Sequence, residues 1–455
     1  MTYDYDLFII GAGPGGHAAA VRAAKYGAKV AIVEQNAVGG ACVNRGCVPM
    51  EMIDSAVGFA TMYEDAANYG WVVNGSADAP RHRFDWSRFS EIKDREIARL
   101  NEVHTRSMTD GGVAFFRGQG KLVDAHTIAM DDRTVTADRI LIAVGAKPLL
   151  PDNIQGIEHA ITSRETFSLK EQPRRLAVVG GGYIGSGFAS GFRGLGSEVT
   201  LINHEALILS GWDQEVCQML QANFEQAGIK VLGESQVERI EPIANGLRVT
   251  VAGKFNASLE VDTVICAIGR VPCTEALGLE QAGVNVLEKG LIAVDGWNRT
   301  SQPHIFAIGD CTSKIALTPI ATAQGRAFAD TQFGDQPHQV DCHFIPAYIA
   351  ARPQLAMVGM TEEEAKERFG EDAQCYRKRF EPLFYKMTRR DAHTLMKLVV
   401  NRGDHNRILG AHMVGDHAAE IIQSLAVAIR MGATKRDLNT MLGIHPTIAE
   451  EFFTL

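Results

Sequence analysis

Several apolar stretches of the chain are short runs of four or five residues, most of them ending at glycine or an acid. Asp6–Ile10 leads into Gly11-Ala12-Gly13-Pro14-Gly15-Gly16. An alanine-rich stretch follows to about Tyr26. A second run, Lys29–Val33, then stops at Glu34. Continuous apolar runs of this length predict strands covered on both faces of a parallel sheet, and the alanine-rich stretch predicts the helix that crosses between them. The order strand, GxGxxG, helix, strand, acid is a dinucleotide-binding pattern. Its glycines allow a tight turn and close approach to a pyrophosphate, the helix N-terminus attracts that charge, and Glu34 can bind ribose hydroxyls.

The pattern recurs. Leu176–Val179 runs into Gly180-Gly181-Gly182-Tyr183-Ile184-Gly185, then a helix, then the strand Val199–Ile202. The same number of positions separates Gly16 from Glu34 and Gly185 from Asn203, so Asn203 stands at the ribose-reading position of the second unit. Asparagine can hydrogen-bond a hydroxyl, but it supplies no acid for NAD. No Arg or Lys occurs from Asn203 to Ser210 to hold a 2′-phosphate. A purely structural second loop therefore remains an open reading. Three more apolar runs end in turns: Ile140–Val144 before Gly145, Val264–Ile268 before Gly269, and Ile305–Ile308 before Gly309-Asp310. Asp310 can bind a ribityl hydroxyl, although Gly-Asp is also a common turn.

Composition narrows the class. The chain has 455 residues, enough for about two to four domains, with 46% hydrophobic and 22% charged residues, as in ordinary globular proteins. A net charge of -9 lacks the basic footprint of a nucleic-acid binder. The apolar start is too short and too acidic for a signal peptide, and no run approaches the length needed to cross a bilayer. Both features point to a cytoplasmic protein. The 8 cysteines are too sparse for a secreted disulfide scaffold. Only Cys42 and Cys47 lie close together, in a glycine-rich loop. A close pair in a reducing compartment suggests redox chemistry or metal, and no further ligand spacing completes a zinc site.

The segment Gly39-Gly40-Ala41-Cys42-Val43-Asn44-Arg45-Gly46-Cys47-Val48-Pro49 resembles the class I flavoprotein pyridine nucleotide-disulfide oxidoreductases, which include glutathione reductase, dihydrolipoamide dehydrogenase and mercuric reductase. The resemblance extends to both glycine loops, Gly309-Asp310, Leu317-Thr318-Pro319 and the ending His445-Pro446-Thr447-Ile448-Ala449-Glu450-Glu451. Phe84-Asp85-Trp86, Glu96–Asn101 and Met431–Lys435 are similar to segments of glutathione reductases. The resemblance implies an α/β fold with two Rossmann-like dinucleotide-binding domains plus a C-terminal α+β dimerisation domain. The FAD domain would combine residues 1–150 and 271–335. The second nucleotide domain would span 151–270, and an interface domain, 340–455, would make a homodimer. FAD would be held by Gly11, Gly13, Gly16, Glu34, Ala41, Gly120, Gly145, Gly309, Asp310 and Thr318. An NAD(P)-like site would use Gly180, Gly182, Gly185, Asn203 and Gly269. Cys42 would attack substrate sulfur, and Cys47 would exchange electrons with the flavin. His445, reaching across the dimer and oriented by Glu450, would serve as acid/base.

Departures from the family cluster at functional positions. Met50 replaces the usual lysine after Cys47-Val48-Pro49, and Gly187 replaces a glutamate in the second nucleotide helix. Those two residues pair in the family, so losing both avoids stranding one buried charge. His204 and Ser210 stand where glutathione reductases carry two phosphate-gripping arginines. Pro14, Val21 and His104 replace glutathione-binding side chains, while Arg326 matches. There is no C-terminal cysteine pair, which disfavours mercury and thioredoxin as substrates. The resulting expectation is a FAD- and dithiol-dependent oxidoreductase for a small thiol or disulfide, with NAD(P)H use open. A nicotinamide-independent thiol oxidase or flavin–dithiol sulfur chemistry on another small molecule, and a non-enzymatic redox sensor, are the alternatives.

Overall fold

The structure is a computed structural model that describes residues 2–72, 83–131, 133–312, 315–388 and 390–455. The described chain divides into two compact units. One comprises Met1–Pro49, Ser87–Leu149 and Gly269–Asp341, the other Met50–Trp86, Leu150–Ile268 and Cys342–Leu455.

The first unit is built on β1 (Tyr5–Ile10), α1 (Pro14–Lys25) and β2 (Val30–Glu34). β1 lies between β2 and the strand Arg133–Ile142, parallel to both. Ala114–Arg117 extends the sheet beyond β2, and Ile305–Ala307 joins it parallel to Arg133–Ile142. Alternation along each strand divides the core. Phe8, Ile10, Val33, Ile140 and Ile142 pack on one face. Leu7, Ile9, Ile32 and Leu141 pack on the other, with Ala19, Ala20 and Ala23 of α1. Both faces are covered, which is why these strands read as unbroken apolar runs. Arg133–Ile142 starts seven residues before the expected Ile140, because its first half forms an antiparallel hairpin with Thr127–Met130. That half faces partly outward and carries no continuous apolar signal.

α1 packs against the helix Thr318–Phe333 at backbone distance. A Cβ on Gly325 would stand 2.2 Å from the Gly15 carbonyl oxygen, and one on Gly15 2.9 Å from that of Ala321. The third glycine of the loop is required by the turn itself, since a Cβ on Gly16 would lie 2.0 Å from the Gly11 oxygen.

In the second unit, Lys230–Leu232, Glu198–Ile202, Arg175–Val179 and Thr263–Cys266 form a parallel sheet in that order. Beside it in sequence is an antiparallel sheet of Ser235–Ile243, Gly246–Gly253 and Ala257–Val261. The C-terminal part is a five-stranded antiparallel sheet from Ala347–Ile349 to Arg407–Val414. Its apolar face packs on the helix Ala418–Arg430 through Ile422, Leu425 and Ile429. Among the described residues, no helix is long and apolar enough to cross a membrane.

Candidate active site

Cys42 and Cys47 are held by two successive helices, α2 (Gly40–Arg45) and α3 (Cys47–Ala66). The turn into α2 is left-handed at Gly39 (φ 95°) and Gly40 (φ 60°), and a Cβ on Gly39 would meet the Val43 side chain at 2.7 Å. Both sulfurs are free thiols. Cys47 Sγ lies 3.5 Å from Thr318 Oγ1, at the first residue of the helix Thr318–Phe333. The two thiols divide one acidic proton between them. Hydrogen bonding from Cys42 pulls Cys47 down to about 6 against the opposing effect of burial, with help from Thr318. The Cys42 thiol is pushed up, first by that contact and then by burial. The reduced pair therefore carries a thiolate at Cys47 and a proton on Cys42 at neutral pH.

The first glycine loop fits a dinucleotide. Gly13 precedes α1 without a side-chain cap, so the first N–H groups of the helix have no capping partner. A Cβ on Gly13 would find only Gly40 Cα, at 3.9 Å, and one on Gly145 (φ 66°) would find nothing within 4 Å. These positions leave open space against bare backbone. Glu34 ends β2, accepting from the Ala12 N–H at 2.8 Å through Oε2 and from the Asn36 N–H at 2.8 Å through Oε1. A carboxylate so held retains lone pairs for ribose hydroxyls. Asp310 follows the strand Ile305–Ala307 and is 3.5 Å from Arg270. Gly120 is buried, and its lack of a side chain is explained by Val33, 2.7 Å from the position of its Cβ. Ala41 lies in the first turn of α2. Among the described residues no cluster of side chains could hold a metal ion.

His445 and Glu450 lie in the second unit. His445 Nδ1 is 2.9 Å from Glu450 Oε1, which also accepts from the Thr447 N–H. The carboxylate fixes the imidazole and leaves Nε2 outward, with the His445 side chain 81% exposed.

Residues 5–325 match the family model described as pyridine nucleotide-disulphide oxidoreductase, and residues 345–455 match the model of its dimerisation domain. The chain belongs to the pyridine nucleotide-disulphide oxidoreductase family. It is similar to a protein named glutathione reductase from Nostoc sp., at 44% identity covering 100% of both chains. It is also similar to glutathione reductases from Burkholderia cepacia, at 41% over 100% of this chain and 99% of that one, and from Pisum sativum, at 38% over 100% and 82%. It is thus an FAD-dependent disulfide oxidoreductase.

The second glycine loop of this family member repeats the first in backbone detail. Gly182, like Gly13, has φ −72° and ψ −177°. Gly180 has φ 107° and Gly11 has φ 105°. A Cβ on Gly185 would stand 1.8 Å from the Gly180 oxygen, one on Gly182 would have open space, and one on Gly269 would find only Leu149 Cδ2, at 3.9 Å. Asn203 takes the place of Glu34, accepting from the Gly181 N–H at 3.1 Å. It differs from Glu34 in that both of its amide hydrogens are used locally, to the Glu205 and Leu207 carbonyls at 3.0 and 2.8 Å. The loop that follows closes over it, with the Leu209 N–H on the Gly181 oxygen. His204 is exposed and faces Glu205 at 3.3 Å.

The Met50 side chain lies where a side chain at Gly187 would reach it. A Cβ on Gly187 would stand 3.8 Å from Met50 Sδ, and one on Gly191 3.0 Å from Met50 Cε. Sequence reasoning recognised the two changes but not that one side chain occupies the space between them. It also missed Asn44 and Asn101. Asn44 Nδ2 donates to the Val38 and Gly40 carbonyls at 3.0 and 2.9 Å, and Asn101 of α4 (Trp86–Thr109) donates to Asn44 Oδ1 at 3.0 Å. Polar residues within a loop motif and on a mostly polar helix give no periodic signal that they will meet. His104 meets His17 of α1 edge to face, with ring centroids 4.8 Å apart. Burial, reinforced by the neighbouring His104 imidazole, pulls His17 down to about 4.

Proposed function

We propose that the enzyme is a thiol–disulfide oxidoreductase acting on a small thiol or disulfide through Cys42 and Cys47, and that its partners differ from the NADPH–glutathione couple. The FAD domain would comprise 1–150 with 271–335, the second nucleotide domain 151–270 and the interface domain 340–455. The homodimer reading is supported by the dimerisation-domain match and by Leu442 and Ile444, which are 92% and 78% exposed beside His445.

In the disulfide-reducing direction, His445, acting across the dimer as the family resemblance implies, would remove the Cys42 proton, and the Cys42 thiolate attacks one sulfur of the substrate disulfide. The substrate S–S bond breaks, and one thiol leaves with the proton returned by His445. The Cys47 thiolate then attacks Cys42 Sγ in the mixed disulfide. That step releases the second thiol, which takes a proton, and forms the Cys42–Cys47 disulfide. Two electrons have passed from the dithiol to the substrate. Gly11, Gly13, Gly16, Glu34, Gly145 and Asp310 would hold FAD, which when bound would supply the two-electron chemistry that restores the dithiol.

The observation that carries the reading of altered partners is the Met50 side chain packed on Gly187 and Gly191. An apolar contact fills positions where the family carries a lysine–glutamate pair. Asn203, whose amide hydrogens are consumed inside its loop, supports the same reading, as does the imidazole pair His17–His104 in place of a tyrosine. An anaerobic titration of the flavoprotein tests it. A small dithiol should bleach the oxidised flavin band, whereas millimolar NADH or NADPH should leave it unchanged. Rapid bleaching by either nicotinamide would restore the conventional electron donor.

A further inference from the structure

We propose that Asn101 is a positioning residue for the dithiol, acting through Asn44. α2 is six residues long and has glycine at both caps, with no side-chain cap at its start. A helix this short has little stability of its own, so the placement of Cys42 depends on what holds the segment. Asn44 is that tie. Its Nδ2 donates both to Gly40, one helical turn back, and to Val38, before the left-handed turn.

These two bonds fix the orientation of both amides. With both Asn44 hydrogens spent on carbonyls, its Oδ1 must face outward as an acceptor. Asn101 must then present Nδ2, which it does at 3.0 Å. The consequence is that Asn101 Oδ1 is turned away, buried and, among the described residues, without a partner. A buried unpaired acceptor is unfavourable, and an apolar residue of the same shape would avoid it. Asn101 is thus retained for the one bond it donates. That bond joins the dithiol segment to a 24-residue helix that also meets α1 through His104 and His17. Small displacements of a reacting group cost rate steeply, so the bond acts on the attack geometry of Cys42.

The inference rests on the pair being reactive, so wild type is measured first. Failure of the wild-type dithiol to exchange would refute that reading, and with it this one. The holoprotein, reduced anaerobically and desalted, is mixed with a chromogenic aromatic disulfide. Release of two aryl thiolates accompanies closure of the Cys42–Cys47 disulfide. Asn101→Leu should slow exchange about fivefold, the equivalent of one ordinary hydrogen bond, with the melting temperature little changed, because the orphaned Asn101 carbonyl is exchanged for the unpaired Oδ1 of the half-buried Asn44. Asn101→Asp keeps the shape but sets an acceptor against Asn44 Oδ1, and should slow exchange at least as much. In an Asn44→Leu background, Asn101→Leu should have no further effect, since both act through one bond. A lowered melting temperature with wild-type exchange rates, or additive effects in the double variant, would show a merely structural residue.

Discussion

The helix Tyr183–Gly194 meets α3 through three glycines, and the contacts differ enough to rank their replacement. Gly187, Gly191 and Gly194 face Met50, Ile53 and Val57. Alanine at Gly187 or Gly191, inside the helix, gains about 1 kcal/mol of helix propensity, and at Gly194, its last residue, less. At Gly187 the new methyl would have its nearest neighbours at 3.4 and 3.8 Å, so it fits. At Gly191 it would meet Ile53 Cγ2 at 2.8 Å and Met50 Cε at 3.0 Å; the Met50 end can yield, while the β-branched Ile53 methyl gives less. At Gly194 it would meet Val57 Cγ1, Cγ2 and Cβ at 2.3, 2.7 and 3.1 Å. Val57 is β-branched, with its rotamer restricted in a helix, so the helices themselves must separate. The gap in stability between Gly187→Ala and Gly194→Ala therefore combines the overpacking cost, about 1–3 kcal/mol, with the smaller propensity gain at the helix end, and both act in the same direction. Urea unfolding followed by circular dichroism, with midpoints compared at equal slope, should order the variants Gly187→Ala, Gly191→Ala, Gly194→Ala from most to least stable. Val57→Ala should cost less in the Gly194→Ala background than in wild type. If Gly194→Ala is as stable as Gly187→Ala, or the two substitutions at Gly194 and Val57 are simply additive, the close helix crossing is refuted.

The reduced dithiol should react with iodoacetamide through a thiolate that is present above about pH 6 and lost as the pH falls through that value, because Cys47 is the depressed group. Cys42→Ala removes the principal cause of that depression, the hydrogen bond from residue 42, and should move the midpoint upward; an unchanged profile contradicts the assignment. His445→Gln should lower exchange by about 10²- to 10⁴-fold, the usual scale of acid–base assistance, while flavin content stays constant; retention of full exchange activity would remove His445 from the site. Lys397→Met should destabilise the second unit by about 3–5 kcal/mol. The fully buried ammonium lies 2.8 Å from Asp213, 2.7 Å from Glu362 and 3.2 Å from Glu215, and its removal strands carboxylates. The hydrogen bonds from Lys366 and Lys397 hold Glu362 down to about 2 against the opposing effect of burial. Its share of stability is therefore complete above the ordinary glutamate range and lost as pH falls toward 2, which an acid-denaturation curve of wild type against Glu362→Gln would show.

The sequence by itself determined the parts whose physics is local. A glycine loop between a buried strand and a helix has one backbone solution, and the two loops here share it to within a few degrees. Two cysteines in one glycine-rich turn are close whatever the rest of the chain does, so Cys42 and Cys47 were legible from spacing. His445 and Glu450 are named only by the family resemblance, and the structure brings the two side chains to 2.9 Å. Tertiary structure decided whatever depends on distant segments meeting. Met50 and Gly187 read as two absences until the helix crossing brought their positions together. Lys397 and Asp213, 184 positions apart, carry no pattern that pairs them. The Asn101–Asn44 bond joins a long surface helix to the dithiol turn, and its direction follows only from which carbonyls lie beside Asn44. Periodicity reports which face of an element is buried. It does not report which neighbour covers that face, and the tuning of the dithiol depends on those neighbours.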